Sequence, residues 1–234
     1  MLIFFSGIEM VLVQNLINRN DKRLVFNSHA HHALIPECSF YEAINGNDAG
    51  YDVLADLNSE EGVAFHKRQE AKLGQIAADL TYFKMLKQIA AGDTSTLILL
   101  DDQRLTVPWY ELQYILQTLP DDWKILQLYY FTEEEGKIVK VQPIKPYAQI
   151  GIGLLGKGID ACYYTPEGAS WAMDACWAYS DVYRLEQCLR KYQERTEQKK
   201  GLYTSLIPLA EDIGGKDFWT SDQRETDAGK NNAE

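Results

Sequence analysis

Residues Leu97 to Asp102 read Leu-Ile-Leu-Leu-Asp-Asp, an apolar run that ends abruptly in two carboxylates. A run apolar on both faces is the pattern of a buried parallel strand. Ligands of open α/β sheets collect at the carboxyl ends of such strands. Two acids delivered there need compensation by a cation, a base or water, because desolvating a carboxylate is costly. A divalent ion shared with a diphosphate would supply it, since hard cations take carboxylate oxygens and substrate phosphates together. The competing reading is a strand end followed by an acidic turn, for Asp is a common turn residue. His29, His31 and His32 form a second cluster. Their spacing is not the i, i+4 pair of a helical metal site, so they read as solvated helix-surface residues.

The elements that must position these groups follow from pattern. The chain has 234 residues, enough for one large domain with a substantial core. A hydrophobic fraction of 46% with 24% charged residues is that of an ordinary globular protein. The formal net charge of −11, without a long basic run, disfavours generic nucleic-acid binding. Cys38, Cys162, Cys176 and Cys188 make no C-x-x-C pair, and the last three sit in apolar contexts, which fits a reducing compartment and a cytoplasmic location. Residues 1–13 are apolar but contain Glu9 and lack a basic start, so they read neither as a signal peptide nor as a membrane span. Peripheral membrane contact stays open.

Residues 11–16 read as a first strand, 18–22 as a turn, 24–34 as a helix and 39–44 as a second strand. Asn45-Gly46-Asn47-Asp48 is a turn signal. Residues 59–91 look helical with a break near Gly74, and Leu73, Ile76, Leu80, Phe83, Leu86 and Ala90 form one apolar stripe. A strand over 96–100, a helix opening at Pro108, and strands over 123–130, 138–141 and 161–164 follow. The glycine-rich segment 148–158 fits no phosphate-loop spacing and reads as a flexible loop and strand near a site. Helices are expected over 166–177, with Gly168, Ala169, Ala172 and Ala175 permitting close packing, and over 181–192. The expectation is one α/β domain over 10–211, its mostly parallel central sheet flanked by helices, with an N-terminal extension at 1–9 and a polar, partly disordered tail at 212–234.

Taken in order, these segments resemble glycosyltransferase family 25, the lipopolysaccharide and collagen galactosyltransferase type. The resemblance covers most of residues 11 to about 221. A strand ending Asn15-Leu16 is followed by Arg19 and Arg23. Ala43-Ile44-Asn45-Gly46 matches the family's Ala-(Ile/Val)-x-Gly. Gly74-Gln75-Ile76-Ala77-Ala78-Asp79-Leu80-Thr81-Tyr82 stands where the family has Gly-Glu-Ile-Gly-Cys-x-x-Ser-His. Leu100-Asp101-Asp102 stands for its Glu-Asp-Asp. Leu119-Pro120-Asp121-Asp122-Trp123, the segment from Ala161 to Ala169, Asp181, and the stretch from Tyr203 to Pro208 complete the series. Two departures stand out: Leu100 replaces the first acid, and Thr81-Tyr82 replaces Ser-His, a tyrosine being unable to do a histidine's proton work at neutral pH.

The resemblance implies a GT-A-like nucleotide-sugar-binding fold. It implies transfer of a hexose, galactose first among them, from a UDP-sugar to a glycan or lipopolysaccharide-type acceptor. It places Mn²⁺ or Mg²⁺ on Asp102 and Asp101, and nucleotide contacts at Asn15, Arg19, Asn45, Asp48, Thr81 and Asp101. An inverting transfer needs a base, and Asp181 is the candidate, with a helix N-cap as its other reading. Two further expectations stand beside this one: a degenerate, non-catalytic relative that binds nucleotide sugar or glycan, and a virus-encoded transferase that modifies DNA bases.

Overall fold

A computed structural model describes residues 10–45, 73–128, 143–144, 147–154, 161–179, 185–197 and 199–213. In chain order the elements are β1 (Met10–Asn15), α1 (Asn20–His32), β2 (Ser39–Glu42), α2 (Leu73–Ala90), β3 (Thr96–Leu100), β4 (Gln103–Leu105), α3 (Trp109–Thr118), β5 (Ile125–Gln127), β6 (Pro143–Ile144), β7 (Tyr147–Ile152), β8 (Cys162–Tyr164), α4 (Pro166–Tyr179), α5 (Leu185–Thr196), β9 (Leu202–Ser205) and β10 (Ala210–Asp212). Eight strands form one mixed sheet in the order β2-β1-β3-β8-β5-β9-β7-β6, and β4 pairs with β10 in a separate ribbon. The pairings β1–β2, β1–β3 and β5–β9 are parallel. Strands β8 and β7 run against their neighbours, so most of the sheet still points one way. The architecture is α/β, with a mostly parallel central sheet flanked by helices.

Strand periodicity divides the core in two. Leu12, Ile98, Ile125, Cys162, Tyr164 and Leu202 face one side, against α2, α4 and α5. Val11, Val13, Leu97, Leu99, Leu126, Tyr163 and Tyr203 face the other, against α1 and α3. Residues buried on alternate faces explain why β3 reads as a continuous apolar run. The crossover from β1 to β2 therefore uses one face of the sheet, while α2, ahead of β3, packs on the opposite face. Strand order reverses between β1 and β3, which makes the carboxyl ends of these two neighbours a topological switch point.

Several boundaries differ from the sequence pattern for identifiable reasons. Helix α1 begins at Asn20, inside the stretch that reads as a turn. Asn and Asp favour turns, but Asp21 in a first helical turn also meets the positive end of the helix dipole. The apolar stripe of α2 is wider than its periodicity suggests: Asp79, Thr81, Tyr82 and Met85 are buried as well, because α2 is enclosed between the sheet and α4. Residues 59–72 lie outside the described residues; α2 opens at Leu73, with Gly74 in its first turn. Of the expected strand at 123–130, Ile125–Gln127 pairs in the sheet, and 129–130 lie outside the described residues. Trp123 N–H donates to Pro120 in a turn, and Lys124 N–H donates to Gly201. The segment at 148–158 contributes β7, paired between β6 and β9, and ends at Gly153 with φ +97°, a left-handed conformation that suits glycine. The expected strand at 138–141 and residues 155–160 lie outside the described residues. Strands β4, β9 and β10 carry three or four residues each, too few for a periodic signal. Strand β10 runs to Asp212, the first residue of the expected tail. No helix among the described residues is long and apolar enough to cross a membrane.

Candidate functional site

The switch point gathers polar groups that the surrounding core would otherwise exclude. Asn15 ends β1, while Asp101 and Asp102 follow β3 in the turn before β4, all three buried. Register places Gln14 opposite Leu100, so the carboxyl ends of the two strands lie side by side. Asn15 Nδ2 donates to Asp101 Oδ2 at 2.6 Å, tying the strand ends together. The turn itself is braced by Gln103, whose Oε1 accepts from Leu100 N–H at 3.0 Å, and by Ile213 N–H donating to the Asp102 carbonyl at 2.6 Å.

The cation facing this pair comes from α1. Lys22 is 5% exposed, and its Nζ lies 3.4 Å from Asp101 Oδ1 and 4.0 Å from Asp102 Oδ2. It shares the buried face of α1 with Phe26 and Ala30, one and two turns on. That placement was the missed signal: the i, i+4, i+8 series that packs on β1 and β3 begins with a lysine. Next to it, Arg23 Nε donates to Asn15 Oδ1, and the same guanidinium lies over the Phe40 ring, 5.1 Å from its centroid. Arg19 occupies the N-cap position of α1 without a side-chain cap bond. Its Nε and Nη2 grip Asp21 at 3.0 and 2.8 Å, which holds the Asp21 carboxyl down at about 2.

Asp102 is the least satisfied member. Its Oδ1 is buried without a hydrogen-bond partner among the described residues. Burial pushes its carboxyl up to about 6. Lys22 pulls the other way, and Asp101 and Asp212 add to the rise. Burial prevails because the ammonium stands at the outer limit of an ion pair from Asp102.

Beside this cluster a cavity of about 440 Å³ opens beyond the ends of β1 and β2. Leu16, Ile17, Phe40, Tyr41 and Ile44 supply apolar walls; Asn45 and Lys84 supply polar ones. Asn18 and Glu42 also line it, and its volume falls in the range of small-molecule sites. Arg23, stacked on Phe40 and bonded to Asn15, connects the cavity to the acid pair. Thr81 lies beneath the cavity wall: its Oγ1 accepts from Ile44 N–H at 3.0 Å and donates to the Ala77 carbonyl at 2.7 Å. Its hydroxyl thus fixes the chain after β2. Tyr82 Oη is within 3.2 Å of Tyr164 Oη. Tyr164 is registered with Thr96, at the opposite end of β3 from the acids. Asp48 and Asp181 lie outside the described residues. His31 and His32 are exposed and His29 is half-buried on α1, as a solvated helix surface requires.

Among the described residues the donor set does not fit a bound divalent ion. Leu100 has no oxygen to offer from its side chain. Both Asp101 oxygens are engaged, one by Asn15 and one by Lys22. Asp102 Oδ1 has no hydrogen-bond partner among the described residues, and the Lys22 ammonium stands 4.0 Å from the other oxygen of the same carboxylate. Among the described residues no group of three or more His, Cys, Asp and Glu side chains is arranged to hold a metal. What the arrangement offers instead is one buried acceptor, two cationic side chains on α1 and an apolar recess, together suited to a ligand with hydroxyls, an anionic centre and a flat or apolar part. Compared with known proteins, the chain matches no family model and no curated sequence.

Proposed function

We propose that this protein is a glycosyltransferase that binds a nucleoside-diphosphate sugar at the carboxyl ends of β1 and β3 and passes the hexose to a saccharide acceptor. The observation that carries the reading is the convergence, at a topological switch point, of a buried acid pair, the α1 cations and an apolar cavity of about 440 Å³. The resemblance of Asn15-Leu16, Ala43-Ile44-Asn45-Gly46 and Leu100-Asp101-Asp102 to family 25 narrows the donor to a UDP-hexose, galactose foremost, and the acceptor to a glycan or lipopolysaccharide-type chain.

In this reading the cavity receives the nucleoside, with Phe40 and Tyr41 against its rings. Arg23 and Lys22 face the diphosphate, whose departure needs its growing charge neutralised. Asp102 Oδ1 accepts from a sugar hydroxyl and so orients the donor. The bond from the anomeric carbon to the diphosphate oxygen breaks, the acceptor oxygen takes its place, and the acceptor's proton passes to a base. Asp181 is the base proposed from sequence.

The test is a panel of UDP-, GDP- and CMP-sugars, read by nucleotide release and thermal shift. The expected outcome is release and stabilisation with one UDP-hexose. In Arg23→Ala that stabilisation falls by about 1.5–3 kcal/mol, the worth of a hydrogen bond to a charged group. A second reading, a non-catalytic nucleotide-sugar binder, is favoured by Leu100 in place of the first family acid. Stabilisation by one donor without any turnover selects it. Silence across the panel removes both.

A further inference from the structure

The Lys22 ammonium occupies the ground that a metal would need. It is buried, it stands within ion-pair range of both carboxylates, and it is held there by helix packing. Phe26 and Ala30, on the same face of α1, pack with Val11, Val13, Leu97 and Leu99 of the two strands whose ends carry the site. A hard divalent ion demands several oxygens at short range and tolerates no second cation among them. Among the described residues it would meet Asp102, whose Oδ1 is without a hydrogen-bond partner, with the ammonium of Lys22 4.0 Å from the same carboxylate in a medium that screens poorly.

We propose that Lys22 is the resident cation of this site, so that the protein binds its diphosphate-bearing ligand without a divalent metal ion. The role of the acid pair is then to hold the ammonium and to present Asp102 Oδ1 to a hydroxyl. The identity of the ligand rests on the proposed function; the claim about the cation does not. Exchanging Lys22 for a neutral residue leaves two facing carboxylates with an empty centre, which is the arrangement a divalent ion seeks.

The experiment uses the full chain with two probes, Mn²⁺ alone and UDP. Mn²⁺ binding is followed by electron paramagnetic resonance and thermal shift, and UDP binding by calorimetry in EDTA and in Mn²⁺. The wild type is expected to bind no Mn²⁺ at millimolar concentration and to hold UDP equally well in both media. Lys22→Met is expected to bind UDP in EDTA about ten-fold or more weakly, the scale of one lost charge-assisted bond. The same variant is expected to acquire Mn²⁺ binding that also raises its melting temperature. A wild-type Mn²⁺ site that Asp102→Asn abolishes overturns the proposal. So does a folded Lys22→Met that keeps full UDP affinity in EDTA, which would make Lys22 a structural ion-pair partner. Should Lys22→Met fail to fold by circular dichroism, the wild-type Mn²⁺ titration decides alone, and Lys22→Arg must retain EDTA-independent binding. Absence of UDP binding by every form refutes the proposed function, while the Mn²⁺ arms still judge the cation.

Discussion

Asp102 shows how one residue's surroundings become measurable. Its folded carboxyl titrates at about 6, against 3.8 for the ordinary group. Between those values the folded chain holds a proton that the unfolded chain has released. Stability therefore falls as pH rises from about 4 to about 6 and stays lower above it, by up to about 3 kcal/mol for this group alone. Asp102→Asn removes the effect. In urea unfolding the variant should exceed the wild type by about 1–3 kcal/mol at pH 7.5 and match it near pH 4. A difference that is the same at both pH values would sink this account. The stabilisation expected from deleting a polar group marks a residue kept for binding rather than for folding. The doublet Asp101-Asp102 was legible in the sequence because acids after an apolar run are conspicuous. Lys22 was not, because a lysine in a polar stretch looks solvated until the helix face it shares with Phe26 and Ala30 is known.

The start of α4 shows how elements lock to one another. Thr165 Oγ1 accepts from Gly168 N–H at 3.0 Å, an N-cap, with Pro166 opening the helix. Thr165 N–H donates to the Lys124 carbonyl at 2.9 Å, which fastens the cap to the chain entering β5. Gly168 faces that same carbonyl so closely that a Cβ would stand 2.0 Å from its oxygen. Gly168→Ala must therefore move backbone, and is expected to lower stability by about 3 kcal/mol or more, as overpacking against an unyielding neighbour does. Thr165→Ala loses the cap and a long bond from its Oγ1 to the Lys124 carbonyl at 3.3 Å, together about 1–2 kcal/mol. Chemical denaturation of the pair checks the ranking, and the reverse order would refute the close-approach argument. Small residues at Gly168, Ala169, Ala172 and Ala175 were readable as a close-packing face. That the partner of Gly168 is a backbone carbonyl was not, since it lies over forty residues earlier in the chain.

At the scale of the molecule, the two-faced core leaves the cysteines unreactive. Cys162, Cys176 and Cys188 are fully buried and form no disulfide with one another or with Cys38. Cys38 is partly exposed, but burial, helped by the charge of Glu37, pushes its thiol up to about 11. A thiol reagent at pH 8 should therefore react slowly with Cys38 and negligibly with the other three, because the thiolate is the nucleophile. All four should react promptly in denaturant. A fast-reacting Cys162, Cys176 or Cys188 in the native protein would contradict the packing of β8, α4 or α5 against the sheet.

By itself the sequence determined the α/β class, the buried strand β3, the acid pair at its end and the helices on either side. Each of these is written in local periodicity or in a residue type that stands out against its neighbours. Strand order, the reversal between β1 and β3, the ribbon of β4 and β10, and the convergence of Asn15, Lys22, Arg23 and Asp101 were decided only by tertiary structure. Asn15 and Asp101 stand 86 residues apart and meet because their strands are neighbours. Such meetings depend on which apolar faces find each other over long separations, and a local pattern carries no record of that choice.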